Sequence, residues 1–221
     1  MTVHCDASGQ QCLVAGPKRV DESFYTIVHQ TEDGGATWST PYALEAADKQ
    51  IEAVDMGGIS GLYCDASGLK CMALRYRLVK QEHVLNAQTD VYTTENSGMV
   101  WEKTGHVDNT DGTLYESLSL LDCDKTGDTC VAIHAPSGEE DATADAYITH
   151  DRGQNWTHKA IAEVNTFWAL TGIACDDSAV ICQVVGIKDI YRVRDMLHAG
   201  QPNIQGKLQR AHLNLQHKAQ N

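Results

Sequence analysis

Residues 31–38 read TEDGGATW, and similar octapeptides recur as TENSGMVW at 94–101 and THDRGQNW at 149–156. Each copy begins with Thr, has Asp or Asn at its third position and Gly at its fifth, and ends with Trp. An Asp or Asn beside Gly is typical of a tight turn, because the side chain accepts backbone N–H bonds and Gly allows a positive φ. The copies therefore predict three hairpin turns, each followed by a Trp that anchors the next strand.

The residues assigned to these turns share one predicted role, which is to shape the chain rather than to carry out chemistry. The second copy has Asn96 in place of Asp and Val100 in place of Thr, and the third has Asn155 in place of Thr. The turn-forming residues are Thr31, Asp33, Gly35, Thr37 and Trp38, then Thr94, Asn96, Gly98 and Trp101, and finally Thr149, Asp151, Gly153 and Trp156.

The eight cysteines form a second repeat, in register with the first. They make four pairs, each with six residues between its members, and the first cysteines of successive pairs lie 59, 59 and 52 residues apart. A period of this length suggests a propeller blade or a similar β unit. The pairs are Cys5 and Cys12, Cys64 and Cys71, Cys123 and Cys130, and Cys175 and Cys182.

Each cysteine pair is followed by a short apolar run of strand character, namely LVAG, MALRY, VAIHA or QVVG. The pairs therefore bracket strand-turn-strand hairpins, in which facing residues lie within disulfide distance. A zinc site is the alternative interpretation of the cysteine pairs, but paired zinc ligands usually stand two to four residues apart. Four local disulfides predict an extracytoplasmic location in the periplasm, at the cell surface or outside the cell. The first residues, MTVHCDASGQ, do not form a signal peptide in this chain.

The octapeptides resemble the Asp box, also called the bacterial neuraminidase repeat, with the pattern Ser/Thr-x-Asp-x-Gly-x-Thr-Trp. The first copy matches it in full. The resemblance implies a β-propeller of the sialidase-like and sortilin-like superfamily. Each blade would be a four-stranded antiparallel meander, with the cysteine hairpin first and the Asp-box hairpin second. In such proteins the Asp box lies away from the catalytic face.

The resemblance covers about residues 1–187, which is roughly three and a half blades. Because propellers usually need four to eight blades to close, we expect an all-β, incomplete ring with open blade edges and a tendency to self-associate. Residues 188–221 hold six of the bases and two of the acids. They are predicted to form a separate basic tail, either helical or disordered.

Composition and motifs exclude several classes of function. The formal net charge of −13 opposes binding to a phosphate backbone, so nucleic acid is not an expected partner. No apolar run approaches the roughly 18 residues of a transmembrane segment. The ten histidines lack metal-ligand spacing, and the acid-rich residues 137–146 are interpreted as an exposed loop rather than a calcium site. We expect no catalytic residues, no cofactor and no bound metal.

The resemblance alone does not select a function, since propellers with Asp boxes include sialidases, xyloglucan-cleaving enzymes and sortilin-type receptors. A sialidase-like site would need three arginines around the substrate carboxylate. The partial match among the seven arginines, Tyr191-Arg192-Val193, is followed by Arg194 instead of the Pro of the Tyr/Phe-Arg-Ile-Pro element of sialidases, and it follows the boxes instead of preceding them. We therefore favour a noncatalytic extracytoplasmic module that binds a protein or a glycan. The alternatives are a fragment of a sialidase-like or xyloglucanase-like glycoside hydrolase and a truncated propeller without independent activity.

Overall fold

The computed structural model describes residues 1–20, 23–40, 42–44, 58–81, 84–108, 118–134, 143–163, 170–186 and 190–194. Within these residues the chain forms fifteen strands in four antiparallel sheets, which follow one another along the sequence. Each sheet is a meander in which consecutive strands pair. The four sheets are named blades I to IV.

Blades I, II and III each have four described strands, and blade IV has three. In chain order the strands are β1 (Thr2–Cys5), β2 (Cys12–Val20), β3 (Ser23–Thr31), β4 (Tyr42–Ala43), β5 (Ile59–Cys64), β6 (Cys71–Gln81), β7 (Val84–Thr94), β8 (Glu102–Asp108), β9 (Leu118–Cys123), β10 (Cys130–His134), β11 (Thr143–Thr149), β12 (Thr157–Glu163), β13 (Leu170–Cys175), β14 (Ile181–Gly186) and β15 (Ile190–Arg194).

The first hairpin of every blade is closed by a disulfide. The two cysteines of each pair face one another across the ladder, Cys5 opposite Cys12 in blade I and Cys64 opposite Cys71 in blade II. All four predicted disulfides form, and the described residues include no free cysteine. On the chain-entropy estimate, closing an eight-residue loop stabilises the fold by about 2.5 kcal/mol.

The blades pack face to face and fan out from a common edge. The first strands β1, β5, β9 and β13 lie next to one another, while the later strands of each blade extend outward. This is the predicted all-β arrangement of propeller blades, and the described residues do not close into a ring.

The hydrophobic core lies between blades, because successive strand residues point to opposite faces of a sheet. In β6, Ala73 packs toward blade I, whereas Met72 and Leu74 pack toward blade III. All three are almost completely buried. Burying a side chain the size of Leu or Met contributes about 1.5–3 kcal/mol, so the contacts between blades account for much of the stability.

The last described strand lies beyond the predicted end of the blades at residue 187. β15 spans Ile190–Arg194 and pairs with β14. Residues 195–221, which hold most of the predicted tail, lie outside the described residues. The described part of the chain includes no helix long and apolar enough to cross a membrane.

Candidate functional site

The turns at residues 31–38, 94–101 and 149–156, named box turns I, II and III, join the third and fourth strands of their blades. In box turn I, the Thr31 hydroxyl donates to Asp33 Oδ1 at 2.7 Å and accepts the Gly35 N–H at 2.9 Å. The backbone N–H of Thr37 donates to the same Asp33 oxygen at 2.8 Å. The carboxylate thus ties both ends of the turn together.

Box turns II and III repeat these bonds. The Thr94 hydroxyl donates to Asn96 Oδ1 and the Thr149 hydroxyl to Asp151 Oδ1, both at 2.8 Å. The N–H of Asn155 donates to the same Asp151 oxygen, also at 2.8 Å. Because these bonds are internal to each turn, they support a structural role for the Asp and Asn side chains.

The turn bonds also set the electrostatics of the two aspartates. The Thr37 hydroxyl, 2.6 Å from Asp33 Oδ2, is the main cause that lowers the pKa of Asp33 to about 2. For Asp151 the largest effect is burial, which raises the pKa, but the hydrogen bonds from Asn155 and Thr149 together bring the pKa below its ordinary value. Both groups are therefore ionised at neutral pH, as acceptors of turn hydrogen bonds.

Each box turn is attached to the cysteine turn of the same blade. The residue after the Asp or Asn has a positive φ and donates its backbone N–H to a cysteine-turn carbonyl. Each box turn is therefore hydrogen-bonded to a turn that is itself closed by a disulfide. The three bonds, 2.9–3.0 Å long, run from Gly34 to Gln10, from Ser97 to Leu69 and from Arg152 to Asp128.

A polar groove of about 600 Å³ lies at this end of the molecule between blades II and III. Its walls come from β7, β8 and box turn II on one side and from box turn III and the neighbouring cysteine turn on the other. Hydroxyl, amide, carboxylate, imidazole and guanidinium groups all contribute to the lining. The groove is lined by Thr93, Thr94, Glu95, Asn96, Val100, Glu102, Thr104, Asp128, His150, Asp151, Arg152 and Gln154.

Arg152 connects the two sides of the groove. Its Nη1 donates to Glu95 Oε1 in box turn II at 2.9 Å, and its Nη2 donates to Asp128 Oδ1 at 2.6 Å. Burial lowers the pKa of Arg152, but these two carboxylates more than offset burial and leave the pKa raised. Arg152 also has a φ of 55°, which is uncommon for a residue with a side chain. Ser97 has the same φ at the equivalent position of box turn II, so the turn sets this conformation.

Two lining groups keep hydrogen-bonding capacity. Arg152 Nε and Thr104 Oγ1 are buried and have no hydrogen-bond partner within the described part of the chain. A buried polar atom without a protein partner usually pairs with an ordered water or a ligand. Both atoms belong to residues that line the groove, but the atoms themselves are covered.

Triads of polar side chains, each centred on an Asp that is at most 13% exposed, lie on the faces of blades II and III that meet the preceding blade. In blade II, Arg75 stands opposite Asp90 in the ladder, and Lys103 Nζ lies 2.8 Å from the buried Asp90 Oδ1. The net interaction within such a triad depends on good geometry, because burying charge is costly. We interpret this triad as part of the blade interface.

Blade III has a second triad with histidines at the cationic positions. His158 Nε2 lies 3.0 Å and His134 Nδ1 3.9 Å from the Asp145 carboxylate. The two triads occupy equal positions, four residues after the second cysteine, four before the first box-turn residue and two after the box-turn Trp. That shared spacing is a signal in the sequence from which both triads could be predicted. Among the described residues, no group of three acidic, Cys or His side chains could hold a metal ion.

The residues directly before the first cysteine contact the next blade near the common edge, and we name His4, Tyr63 and Asp122 the latch residues. The Tyr63 hydroxyl donates to the carbonyl oxygen of Asp124 at 2.6 Å, and the His4 ring lies 4.8 Å from the Tyr63 ring. Burial lowers the pKa of His4 and raises the pKa values of Tyr63 and Asp122. Ala174 occupies this position in blade IV.

Neither a protein-family model nor a curated protein sequence matches the chain. The solved structures that are similar to it include two enzymes. The GH74 xyloglucanase from Xanthomonas campestris superposes with a TM-score of 0.54 and 13% identity, over 94% of this chain and 29% of the xyloglucanase. The NanB sialidase from Streptococcus pneumoniae superposes with a TM-score of 0.55 and 10% identity, over 87% of this chain and 48% of the sialidase.

These similarities establish the fold, and the four sheets are blades of a β-propeller. The chain spans less than half the length of either neighbour. Membership of the Asp-box family stays a prediction. Residues 21–22, 82–83 and 135–142, which join the second and third strands of blades I, II and III in the sequence, lie outside the described residues.

Proposed function

We propose that this chain is a noncatalytic propeller module that binds a glycan in the groove between box turns II and III. The observation that carries the proposal is the lining of the groove, where polar groups from two blades surround about 600 Å³. This volume is within the usual range for small-ligand sites. Hydroxyl, amide and carboxylate groups match the donors and acceptors of sugar hydroxyls.

Hydrogen bonds and a disulfide hold a wall of the groove, which favours binding. Box turn III is held by the internal bonds of Asp151 and by the bond from Arg152 to the cysteine turn. The Cys123–Cys130 disulfide closes that cysteine turn. A preformed site loses little conformational entropy when a ligand binds.

The carboxylates of the groove favour binding over catalysis. Glycoside hydrolysis needs two carboxyl groups, one as acid and the other as base or nucleophile. Three of the four carboxylates that line the groove are engaged: Asp151 within its turn, and Glu95 and Asp128 with Arg152. The fourth is Glu102.

The four disulfides indicate an oxidising compartment. We propose that the module works outside the cytoplasm, where glycans of cell walls and surfaces are accessible. The alternative is a fragment of a glycoside hydrolase, which the xyloglucanase and sialidase titles of the two structural neighbours favour.

The test is a matched pair of variants with bulky side chains. Gln154→Trp would fill the groove from box turn III, whereas Ala36→Trp changes the same position of box turn I, away from the lining. We expect Gln154→Trp to abolish binding of a xyloglucan oligosaccharide in calorimetry and Ala36→Trp to retain it. Equal binding by both variants would contradict the groove. Release of reducing sugar by the unaltered chain would support the hydrolase alternative.

A further inference from the structure

The groove carries an excess of negative charge. Among its described lining residues, the carboxylates of Glu95, Glu102, Asp128 and Asp151 stand against the one guanidinium of Arg152. With His150 counted as neutral, three net negative charges remain. The chain as a whole has a formal net charge of −13, so its overall field has the same sign.

The guanidinium of Arg152 is already engaged in ion pairs. Both Nη atoms of Arg152 donate to carboxylates, to Glu95 at 2.9 Å and to Asp128 at 2.6 Å. Asp151 stays ionised because the hydrogen bonds of its turn hold its pKa below the ordinary value, against the opposing effect of burial. An incoming anion would have to displace Glu95 from Arg152 and would still face the other carboxylates.

We infer that the groove accepts uncharged glycans and rejects glycans that carry a carboxylate, such as sialic or uronic acids. This inference rests on the proposed function, because it concerns what the same groove binds. Like charges repel more strongly in a partly enclosed site than in bulk water, because the effective dielectric constant is lower there. The repulsion acts on the ligand before any contact forms.

The neutral polar side chains of the lining suit sugar hydroxyls. The Thr93 hydroxyl and the Gln154 amide can each donate and accept a hydrogen bond. A sugar hydroxyl can pair with either group, because it also donates and accepts. A carboxylate only accepts, and it brings a charge that four neighbouring carboxylates oppose.

The experiment compares a neutral probe with an acidic one of the same backbone. One is a xyloglucan heptasaccharide, and the other is the same oligosaccharide after oxidation of its free primary alcohol to a carboxylate. We expect the neutral probe to bind about tenfold more tightly at low ionic strength, and we expect that ratio to shrink as salt screens the repulsion.

Two variants test whether the groove sets the ratio of the affinities for the neutral and acidic probes. Glu102→Gln removes a lining carboxylate without altering the ion pairs of Arg152, and it should narrow the neutral-to-acidic affinity ratio about threefold. Glu32→Gln removes an exposed carboxylate in box turn I, outside the lining, and should leave the ratio as it is. Thermal unfolding confirms that both variants are folded.

The outcomes separate the inference from the proposed function. If both probes bind equally, or the acidic one more tightly, the charge selection is wrong while the glycan-binding groove stands. If neither probe binds, the proposed function fails and the inference falls with it. If the neutral probe is preferred but both variants change the ratio equally, the selection does not come from the groove and the inference is overturned.

Discussion

The Asp122 carboxylate of blade III accepts a hydrogen bond from the backbone N–H of Cys175 in blade IV, with 2.6 Å between Oδ2 and N. Its Oδ1 accepts the N–H of Cys123 at 2.9 Å. The same side chain therefore secures its own strand and the first strand of the next blade. Burial raises the pKa of Asp122, and the two hydrogen bonds act in the opposite direction.

Removing this carboxylate is expected to loosen blade IV. Asp122→Ala leaves the N–H groups of Cys175 and Cys123 without their acceptor in a partly buried place, and should lower the free energy of unfolding by about 1–3 kcal/mol. Asp122→Asn keeps one oxygen acceptor and avoids burying a charge, so its loss should be smaller. Urea unfolding measures both. Equal losses would show that the acceptor oxygen is not what joins the blades.

The glycines at the fifth position of the box turns allow a second prediction. Of Gly35 and Gly153, only Gly153 approaches another blade closely. Gly35 and Gly153 both have positive φ, 92° and 79°. A Cβ at Gly153 would lie 2.6 Å from Val91 in blade II, whereas the nearest neighbour of a Cβ at Gly35 is Trp38 of its own turn, at 3.7 Å. Box turn III is therefore packed on the preceding blade and box turn I is open.

We expect Gly35→Ala to cost about 1–2 kcal/mol, from backbone strain alone. Gly153→Ala should cost a further 1–3 kcal/mol or so, because the methyl group overpacks the contact with Val91. Chemical denaturation of the two variants provides the comparison. A Gly153→Ala variant no less stable than Gly35→Ala would mean that the close approach to blade II is absent in solution.

The features that could be predicted from the sequence depend on contacts between residues close together in the chain. The turn around Asp33 and the four disulfides are of this kind, since their partners lie four to seven residues apart. The bond from Arg152 to Glu95 spans 57 residues, and the one from Asp122 to Cys175 spans 53. Such contacts depend on how one blade packs on the next, and no local pattern encodes that packing.

The two triads could be predicted from the sequence only in part. Asp90 and Asp145 each stand four residues before the first Thr of a box turn, so an alignment of the repeats places them at one position. Blade I has Ile27 there. The repeat predicts the shared position, but it does not predict that Asp90 is 0% exposed and Asp145 intermediate, because burial depends on how the blades pack.

A third prediction concerns the order in which the disulfides are reduced. Cys5 is exposed, whereas Cys123 and Cys130 are only 4% and 0% exposed between blades. Because a thiol reductant must reach a sulfur atom, the Cys5–Cys12 disulfide should open first and Cys123–Cys130 last. Stepwise reduction with differential alkylation and mass spectrometry reports the order. If the Cys5–Cys12 and Cys123–Cys130 disulfides are lost together at a low concentration of reductant, the blades separate before reduction.

The last prediction is an acid-dependent loss of stability from box turn I. The folded-state pKa of Asp33 is about 2, chiefly because the Thr37 hydroxyl and N–H donate to its carboxylate, and this is below the unfolded value of about 3.9. A depressed pKa means that the ionised form stabilises the fold, so the contribution is complete above about pH 5 and is lost progressively as the pH falls toward 2. Asp33→Asn copies Asn96 of box turn II, which does not titrate. The difference in Tm between the unaltered chain and Asp33→Asn should therefore shrink between pH 5 and pH 2. When both proteins also carry Thr37→Val, which lacks the hydroxyl, the same difference should shrink less. A difference that stays constant with pH would show that the turn does not hold the carboxylate in its ionised form.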